Sequence, residues 1–123
     1  MSLSIFKAYD VRGKYPQELN EEIAFKIAAA VGKHFGRGAK IVVGRDGRLS
    51  SPSLYKAVLR GVKRQRSNVK GIAAGIMTTP MFYFLVNKLK ADGGIMVTAS
   101  HNPKEYNGLK VVRQKAKPIS GIE

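Results

Sequence analysis

The chain has 123 residues, no cysteine and a formal net charge of +14. Its length fits one domain, and its hydrophobic fraction of 44% is ordinary for a packed globular protein. The lack of cysteine excludes disulfides, zinc-thiolate sites and thiol nucleophiles, and it is compatible with a reducing compartment. No apolar run approaches the roughly 20 residues of a membrane span, and the charged first fifteen residues do not resemble a secretory signal. We therefore expect a cytoplasmic protein without a membrane partner.

The excess of positive charge raises the hypothesis of a nucleic-acid partner, because clustered lysines and arginines attract phosphates. Lys63, Arg64 and Arg66 form a tight basic run, but the other basic residues are spread among apolar ones. The sequence also has no aromatic pattern of the kind that single-strand binders use for stacking. This distribution argues against nucleic acid. It favours a solvated basic face, or a domain whose acidic neighbours are missing.

Apolar periodicity and start signals predict three helices. Asn20 is the predicted N-cap of the first helix, which carries acidic residues in its first turn and ends before Gly36. Ser51-Pro52 and Thr79-Pro80 each read as an N-cap followed by proline at the first helical position, and they predict the second and third helices. His34, near the end of the first helix, is expected to be a surface or capping side chain.

Short apolar runs between these helices predict strands at residues 40–44, 68–75, 94–98 and 109–112, and residues 6–13 alternate weakly like a strand. The β-branched run Ile41–Val43 suits a strand that is buried on both faces. The alternation of strands and helices predicts an α/β fold, a three-layer sandwich with a mostly parallel mixed sheet between helices. In such sheets the ligand loops gather at the carboxyl ends of the strands.

The loop Thr98–Pro103 is the strongest candidate for chemistry, because it packs hydroxyl, imidazole and amide groups into six residues. Ser100 would lie just beyond a buried strand, where backbone N–H groups can receive an anion. Its neighbour His101 raises the alternative of a serine hydrolase. Adjacent residues in an extended loop point apart, however, and the sequence has no Gly-x-Ser-x-Gly elbow. A plain polar turn remains open at this point.

Two basic residues are further candidates. Arg12, beside Gly13, could bind a phosphate with its paired N–H donors, although a surface role is the commoner one for a lone arginine. Lys110 leads into the last predicted strand and could approach Ser100 from a neighbouring strand. The preceding Asn107-Gly108 is predicted to form a tight hairpin turn.

Together, four segments of the chain resemble the first domain of the α-D-phosphohexomutases: Phe6 to Gly13, Gly44 to Asp46, Thr98 to Pro103, and Tyr106 to Lys110. The resemblance spans nearly the whole chain, and the opening segment is most similar to the phosphomannomutase/phosphoglucomutase branch, with phosphoglucosamine mutases second. It implies that residues 1–123 form domain 1 of such an enzyme. It also implies that domains 2 to 4, with the metal loop, the sugar-selecting loop and the phosphate-clamping loop, are absent from this sequence.

The resemblance further implies a mechanism and a set of site residues. Ser100 would be a phosphoserine that exchanges its phosphoryl group with a hexose 1- or 6-phosphate through a bisphosphorylated sugar. It would also be one ligand of Mg²⁺. Arg12 and Lys110 would bind the substrate, stabilise charge and assist proton transfer, while Tyr9 and His101 would line the site, His101 with a catalytic role. Glucose or mannose 1,6-bisphosphate would be the activator, and the choice between glucose and mannose stays open.

Hexose phosphates and the remaining mutase domains are the partners expected from this resemblance, and the isolated domain is expected to show little or no turnover. Two other hypotheses stay in view. The chain could be a standalone basic module that binds phosphate-bearing partners, nucleic acid included, or one piece of an enzyme assembled from separate chains.

Overall fold

The computed structural model describes residues 10–64, 68–114 and 117–118. Strands and helices alternate from β1 to β4, and two further strands follow. The bounds are β1 Asp10–Lys14, α1 Glu21–Phe35, β2 Lys40–Arg45, α2 Ser51–Val62, β3 Lys70–Ile76, α3 Thr79–Lys88, β4 Gly93–Val97, β5 Tyr106–Arg113 and β6 Lys117–Pro118.

The described strands form one mixed sheet in the order β1-β5-β4-β2-β3, with β6 paired to β5. The pairs β2–β3 and β2–β4 are parallel, whereas β5 is antiparallel to β1, β4 and β6. All of these strands except β5 therefore run in the same direction. The mostly parallel mixed sheet predicted from the sequence is confirmed. Its consequence for function is that β1, β2, β3 and β4 end at the same edge of the sheet.

The helices cover both faces of the sheet. One core lies under α1 and α2 and contains Ile41, Val43 and Ile95, whereas the second lies under α3 and contains Val42 and Met96. Successive residues of a strand point to opposite faces, so β2 and β4 are buried from both sides. The three-layer sandwich and the doubly buried second strand are both confirmed.

All three helices begin near the predicted N-cap residues, but in two of them the N-cap is one residue earlier than predicted. Asn20 caps α1 as predicted, its side-chain oxygen accepting from the N–H of Ile23 at 3.0 Å. For α3 the N-cap is Thr78 and not Thr79, because the Thr78 hydroxyl accepts from the N–H of Met81 at 3.2 Å. For α2 the prediction of Ser51 as the N-cap is wrong. Ser50 takes that position, and Ser51 lies in the helix with its hydroxyl bonded elsewhere.

The predicted hairpin turn at Asn107-Gly108 is wrong. Both residues lie inside β5, where Asn107 pairs with Gly13 and Gly108 with Arg12 of β1. A Cβ atom on Gly108 would lie 2.5 Å from the Val11 carbonyl oxygen and 2.9 Å from Cγ of Arg12. Glycine is therefore needed here because β1 and the Arg12 side chain approach the strand closely, and not because the chain turns.

Candidate active site

The loop between β4 and β5 lies at the edge where the parallel strands end. The loop after β2 reaches it through a hydrogen bond from the N–H of Asp46 to the carbonyl oxygen of Val97, at 3.0 Å. The N–H of Thr98 in turn donates to the carbonyl oxygen of Gly108 at 2.9 Å. The loops after β2 and β4 and the start of β5 thus meet at one place, as the carboxyl ends of parallel strands should.

Ser100 is exposed in this loop, with a left-handed φ of +53°. Its N–H donates to the Thr98 hydroxyl at 3.0 Å, and the N–H of Asn102 donates to the Ala99 carbonyl oxygen at 3.0 Å. His101 is exposed too, and the described structure contains no hydrogen bond between its ring and the Ser100 hydroxyl. That geometry agrees with the argument against a serine hydrolase and presents a hydroxyl on a defined turn.

Arg12 and Lys110 are brought to the same face of the sheet beside this loop. Arg12 pairs with Gly108, and Lys110 lies two residues further along β5, so both side chains leave the sheet on one face. Both are half-buried. Nη1 of Arg12 donates to Oδ1 of Asn102 at 2.9 Å, which joins β1 directly to the Ser100 loop. The strand order β1-β5-β4 therefore places Lys110 on the strand next to β4, which leads into the Ser100 loop, and Arg12 one strand further.

Arg48, in the loop after β2, donates hydrogen bonds to four carbonyl oxygens of the Ser100 loop and the start of β5. Its Nη2 donates to the carbonyl oxygens of Ser100 and Asn102, both at 2.8 Å. Its Nη1 donates to the carbonyl oxygens of Pro103 at 2.8 Å and Tyr106 at 3.1 Å. The Arg48 side chain is only 15% exposed, which is low for an arginine on a loop.

Asp46 fixes Arg48 in turn. Its Oδ2 lies 3.3 Å from Nε of Arg48, and its Oδ1 accepts from the Arg48 N–H at 3.0 Å and from the Ser51 hydroxyl at 2.5 Å. The bond from an aspartate to an N–H two residues later is an Asx-turn, which Asp-x-x sequences favour. Neither residue was selected from the sequence as functional. The available signal was Asp-Gly-Arg directly after a buried strand.

Asn107 is a third residue whose role the sequence reasoning missed, since it was predicted only as part of a turn. It is fully buried, and its side-chain amide donates to the hydroxyls of Ser50 at 2.8 Å and Ser51 at 3.0 Å. Its Oδ1 accepts from the N–H of Gly108 at 2.8 Å. Asn107 thereby ties β5 to the start of α2, and with Asp46 it explains why the Ser51 hydroxyl is not a helix cap.

A cluster around Glu21 joins the residue after β1 to the first turns of α1 and α2. The hydroxyls of Tyr15 and Ser53 both donate to Oε2 of Glu21, the latter at 2.6 Å. The Ser53 bond and then the Tyr15 bond hold the pKa of the Glu21 carboxyl below its ordinary value of 4.5, because both favour the charged form. The bond to Glu21, followed by burial, raises the pKa of Tyr15 above its ordinary value of 10.0.

Glu21 is therefore expected to add a pH-dependent contribution to stability. A carboxyl whose pKa is lowered by folding stabilises the fold above its unfolded pKa, and that contribution is lost as the pH falls through the lower folded value. We expect the thermal midpoint to fall below pH 4.5 and Glu21→Gln to make this decline shallower. Glu22→Gln is the matched control, because Glu22 is exposed and forms an ion pair with Lys26 on the helix surface. Equal pH profiles for the two variants would contradict the assignment.

Tyr9, predicted to line the site, lies outside the described residues. Among the residues that are described, there is no group of three or more His, Asp or Glu side chains placed to hold a metal ion. The described helices include none with the length and hydropathy needed to cross a membrane.

Comparison with known proteins places this geometry in a family. A family model described as phosphoglucomutase/phosphomannomutase, alpha/beta/alpha domain I, matches residues 3–122. A phosphomannomutase of Klebsiella pneumoniae is 52% identical over 119 residues, which are 97% of this chain and 74% of the relative. The chain belongs to the phosphoglucomutase/phosphomannomutase family. The resemblance seen in the sequence is thereby confirmed, and within the family the match is to domain I.

Other matches give the extent of the likeness. A protein of Xanthomonas campestris described as phosphohexose mutases is 48% identical over 120 residues, covering 98% of this chain but 26% of the relative. The crystal structure of a phosphoglucomutase/phosphomannomutase family protein from Burkholderia thailandensis superposes with a TM-score of 0.86 at 38% identity, covering 99% of this chain and 28% of that one. The chain thus spans about a quarter of these two relatives. The matches do not favour the alternative of a standalone basic binding module.

Proposed function

We propose that this chain is the phosphoserine-bearing first domain of a phosphomannomutase/phosphoglucomutase, an enzyme that interconverts hexose 1-phosphate and hexose 6-phosphate. The observation that carries the proposal is the placement of Ser100. It is exposed on a left-handed turn at the carboxyl edge of the sheet, in a chain of this family, with Lys110 on the neighbouring strand β5 and Arg12 on β1 beyond it. A serine that donates a phosphoryl group needs an exposed hydroxyl on a rigid backbone segment, with cations beside it.

The proposed chemistry is the exchange of one phosphoryl group between Ser100 and the sugar. The bond from phosphorus to Oγ of Ser100 breaks as a new bond forms to a sugar hydroxyl oxygen, and the proton of that hydroxyl leaves to a base at the site. The reverse step at the other end of the bisphosphorylated sugar restores the phosphoserine. Positioning of the reacting groups and charge stabilisation contribute most of the rate acceleration in such transfers. We assign charge stabilisation to Arg12 and Lys110, and proton transfer to Lys110 with His101.

A divalent cation belongs to this proposal. The oxygens of a phosphate on Ser100 are hard ligands of the kind Mg²⁺ prefers, and the exposed turn leaves them open to an ion. Among the described residues Ser100 is the ligand that we assign, since Asp46, a nearby carboxylate, is already bonded to Arg48 and Ser51. When bound, Mg²⁺ would neutralise charge on the transferring oxygens.

The partners in this proposal are hexose phosphates, a glucose or mannose 1,6-bisphosphate activator and the remaining domains of the mutase. The charge of +14 on a chain that spans about a quarter of its relatives fits a domain that meets more acidic partners. A cytoplasmic location, which fits the absence of cysteine, is part of the same proposal.

A chimera tests the function. This chain replaces the matching segment of the 48% identical Xanthomonas relative, and conversion of mannose 1-phosphate and glucose 1-phosphate is measured with Mg²⁺ and a catalytic amount of bisphosphate. We expect turnover in the chimera, a phosphate on Ser100 by mass spectrometry and at least about 1,000-fold lower turnover in Ser100→Ala.

Thr98→Ser provides a control that alters a neighbouring hydroxyl but keeps the oxygen that accepts from the Ser100 N–H. It should retain most of the activity and the phosphate on Ser100. Equal turnover in the parent chimera and in Ser100→Ala would refute the assignment of Ser100. Mixing the chain with the remaining domains as a separate polypeptide tests assembly from separate chains, because only that arrangement regains activity without a covalent link.

A further inference from the structure

The Ser100 loop is attached to the rest of the domain chiefly through one side chain, because the guanidinium of Arg48 binds three of its carbonyl oxygens and a fourth at Tyr106, the first residue of β5. We propose that Arg48 is the positioning residue for Ser100. By binding these carbonyl oxygens it fixes the turn at Ser100 and directs the N–H groups of the loop toward an anion. The proposal rests on the proposed function, because the phosphate on Ser100 is the anion it invokes.

The direction of the peptide groups supplies the first argument. In a trans peptide the carbonyl and the following N–H point in opposite directions. The N–H groups of His101 and Lys104 follow the carbonyls of Ser100 and Pro103, so both point away from Arg48. Neither donates a hydrogen bond within the described part of the chain. These two N–H groups are therefore open to an anion on the outer side of the loop, whereas the carbonyl oxygens, which would repel an anion, are occupied by Arg48.

The backbone at Ser100 supplies the second argument. A φ of +53° is unfavourable for a residue with a side chain, and it persists only where other bonds hold it. Arg48 binds the carbonyl oxygen of Ser100 itself and that of Asn102, two residues later. These two bonds fix the peptide groups on the C-terminal side of the strained residue. The bond from the Ser100 N–H to Thr98 fixes the N-terminal side.

The donor count explains why this position holds arginine. A guanidinium has five N–H groups, and here Nη1 and Nη2 donate to two carbonyl oxygens each while Nε faces Asp46. All five directions are therefore used. A lysine has three donors at one point and lacks the planar fork, so it can replace only part of this set.

The first arm of the test uses the chain by itself and needs no activity. Hydrogen exchange at the amides of Ser100, Asn102 and Tyr106 is followed by NMR in the parent chain, Arg48→Gln, Arg48→Lys and the control Arg37→Gln. Arg37 is exposed and lies before β2, at the opposite edge of the sheet. We expect exchange at the three amides to rise roughly tenfold or more in Arg48→Gln, to rise less in Arg48→Lys and to stay unchanged in Arg37→Gln.

The second arm uses the chimera described above. Because Arg48 acts through the loop, Arg48→Gln should lower kcat about 100-fold and leave KM for the hexose phosphate within about threefold. Arg48→Lys should lie between the two, and Arg37→Gln should match the parent. A purely structural role would instead lower the amount of folded enzyme and leave the kcat of the folded fraction unchanged, so kcat is expressed per folded molecule.

The outcomes separate this inference from the proposed function. Parental exchange and parental kcat in Arg48→Gln, beside an inactive Ser100→Ala, would overturn the role of Arg48 and leave the function standing. A raised KM with unchanged kcat would overturn positioning in favour of direct substrate binding. If Ser100→Ala keeps full turnover, the proposed function fails and the role of Arg48 toward a phosphate fails with it, even if the exchange rates change. If Arg48→Gln does not fold, Arg48→Lys carries both arms.

Discussion

Replacing Gly61 with alanine is expected to destabilise the domain by about 2–3 kcal/mol, the cost of forcing an extra methyl group into a packed interface. Gly61 lies in α2 where that helix crosses α1. A Cβ atom at this position would lie 2.5 Å from the Phe25 carbonyl oxygen and 2.6 Å from Cβ of Ala28. Because one of these contacts is to helix backbone, a side-chain rotation cannot relieve it, and the two helices must separate.

The sign of this prediction is informative because intrinsic helix propensity opposes it. Alanine in a helix interior is favoured over glycine by roughly 1 kcal/mol, so a position with free space would become more stable. Chemical denaturation of Gly61→Ala, with the exposed neighbour Arg60→Ala as the control, decides the matter. Arg60→Ala should lie within about 0.5 kcal/mol of the parent. A stabilised Gly61→Ala would show that the helices do not cross as closely as described.

The contacts around Gly61 and Asn20 illustrate which parts of the fold the sequence could predict. Asn20 caps α1 through an N–H three residues away, so the signal and its partner lie in one short segment. The buried run of β2 was equally readable, because a strand covered on both faces is apolar at successive positions. The close crossing at Gly61 was not predicted, since the atoms that exclude a side chain belong to α1, more than 30 residues away.

The site shows the same division. Ser100 and its polar neighbours were selected because they are adjacent in sequence. Arg48 was missed because its carbonyl partners lie 52 to 58 residues away, and a carbonyl partner leaves no mark on residue type. The hairpin predicted at Asn107-Gly108 failed for a related reason. The local turn preference of Asn-Gly was overridden by pairing with β1 and by the serines at the start of α2.

The strand order also had to come from the structure. Arg12 and Lys110 are nearly 100 residues apart along the chain, and they share a face only because β5 lies between β1 and β4. The sequence predicted that the strands alternate with helices, but it did not specify that the last long strand would insert beside β4 and reverse direction. Long-range pairing of this kind depends on packing between whole layers.

Changing Asp46 to asparagine is expected to destabilise the domain by about 2–3 kcal/mol and to loosen the Ser100 loop at the same time. The carboxylate accepts from the N–H of Arg48 and the hydroxyl of Ser51, and it faces Nε of Arg48. Hydrogen bonds to a charged group contribute about 1.5–3 kcal/mol each. An asparagine side chain keeps the shape of aspartate but loses the negative charge. Its NH₂ group would also face at least one of the three donors, which are the Arg48 N–H, the Ser51 hydroxyl and Nε of Arg48.

Asp92→Asn is the matched control for this variant, because it makes the same change at the opposite edge of the sheet. Oδ2 of Asp92 accepts from the N–H of Lys40 at 2.8 Å, at the start of β2. Both variants should lower the denaturation midpoint, but only Asp46→Asn should speed exchange at the amides of Ser100 and Asn102. If the two variants change those amides equally, the loop responds to global stability alone. If Asp46→Asn alone changes them, the chain of contacts from Asp46 through Arg48 to Ser100 is what sets the loop conformation.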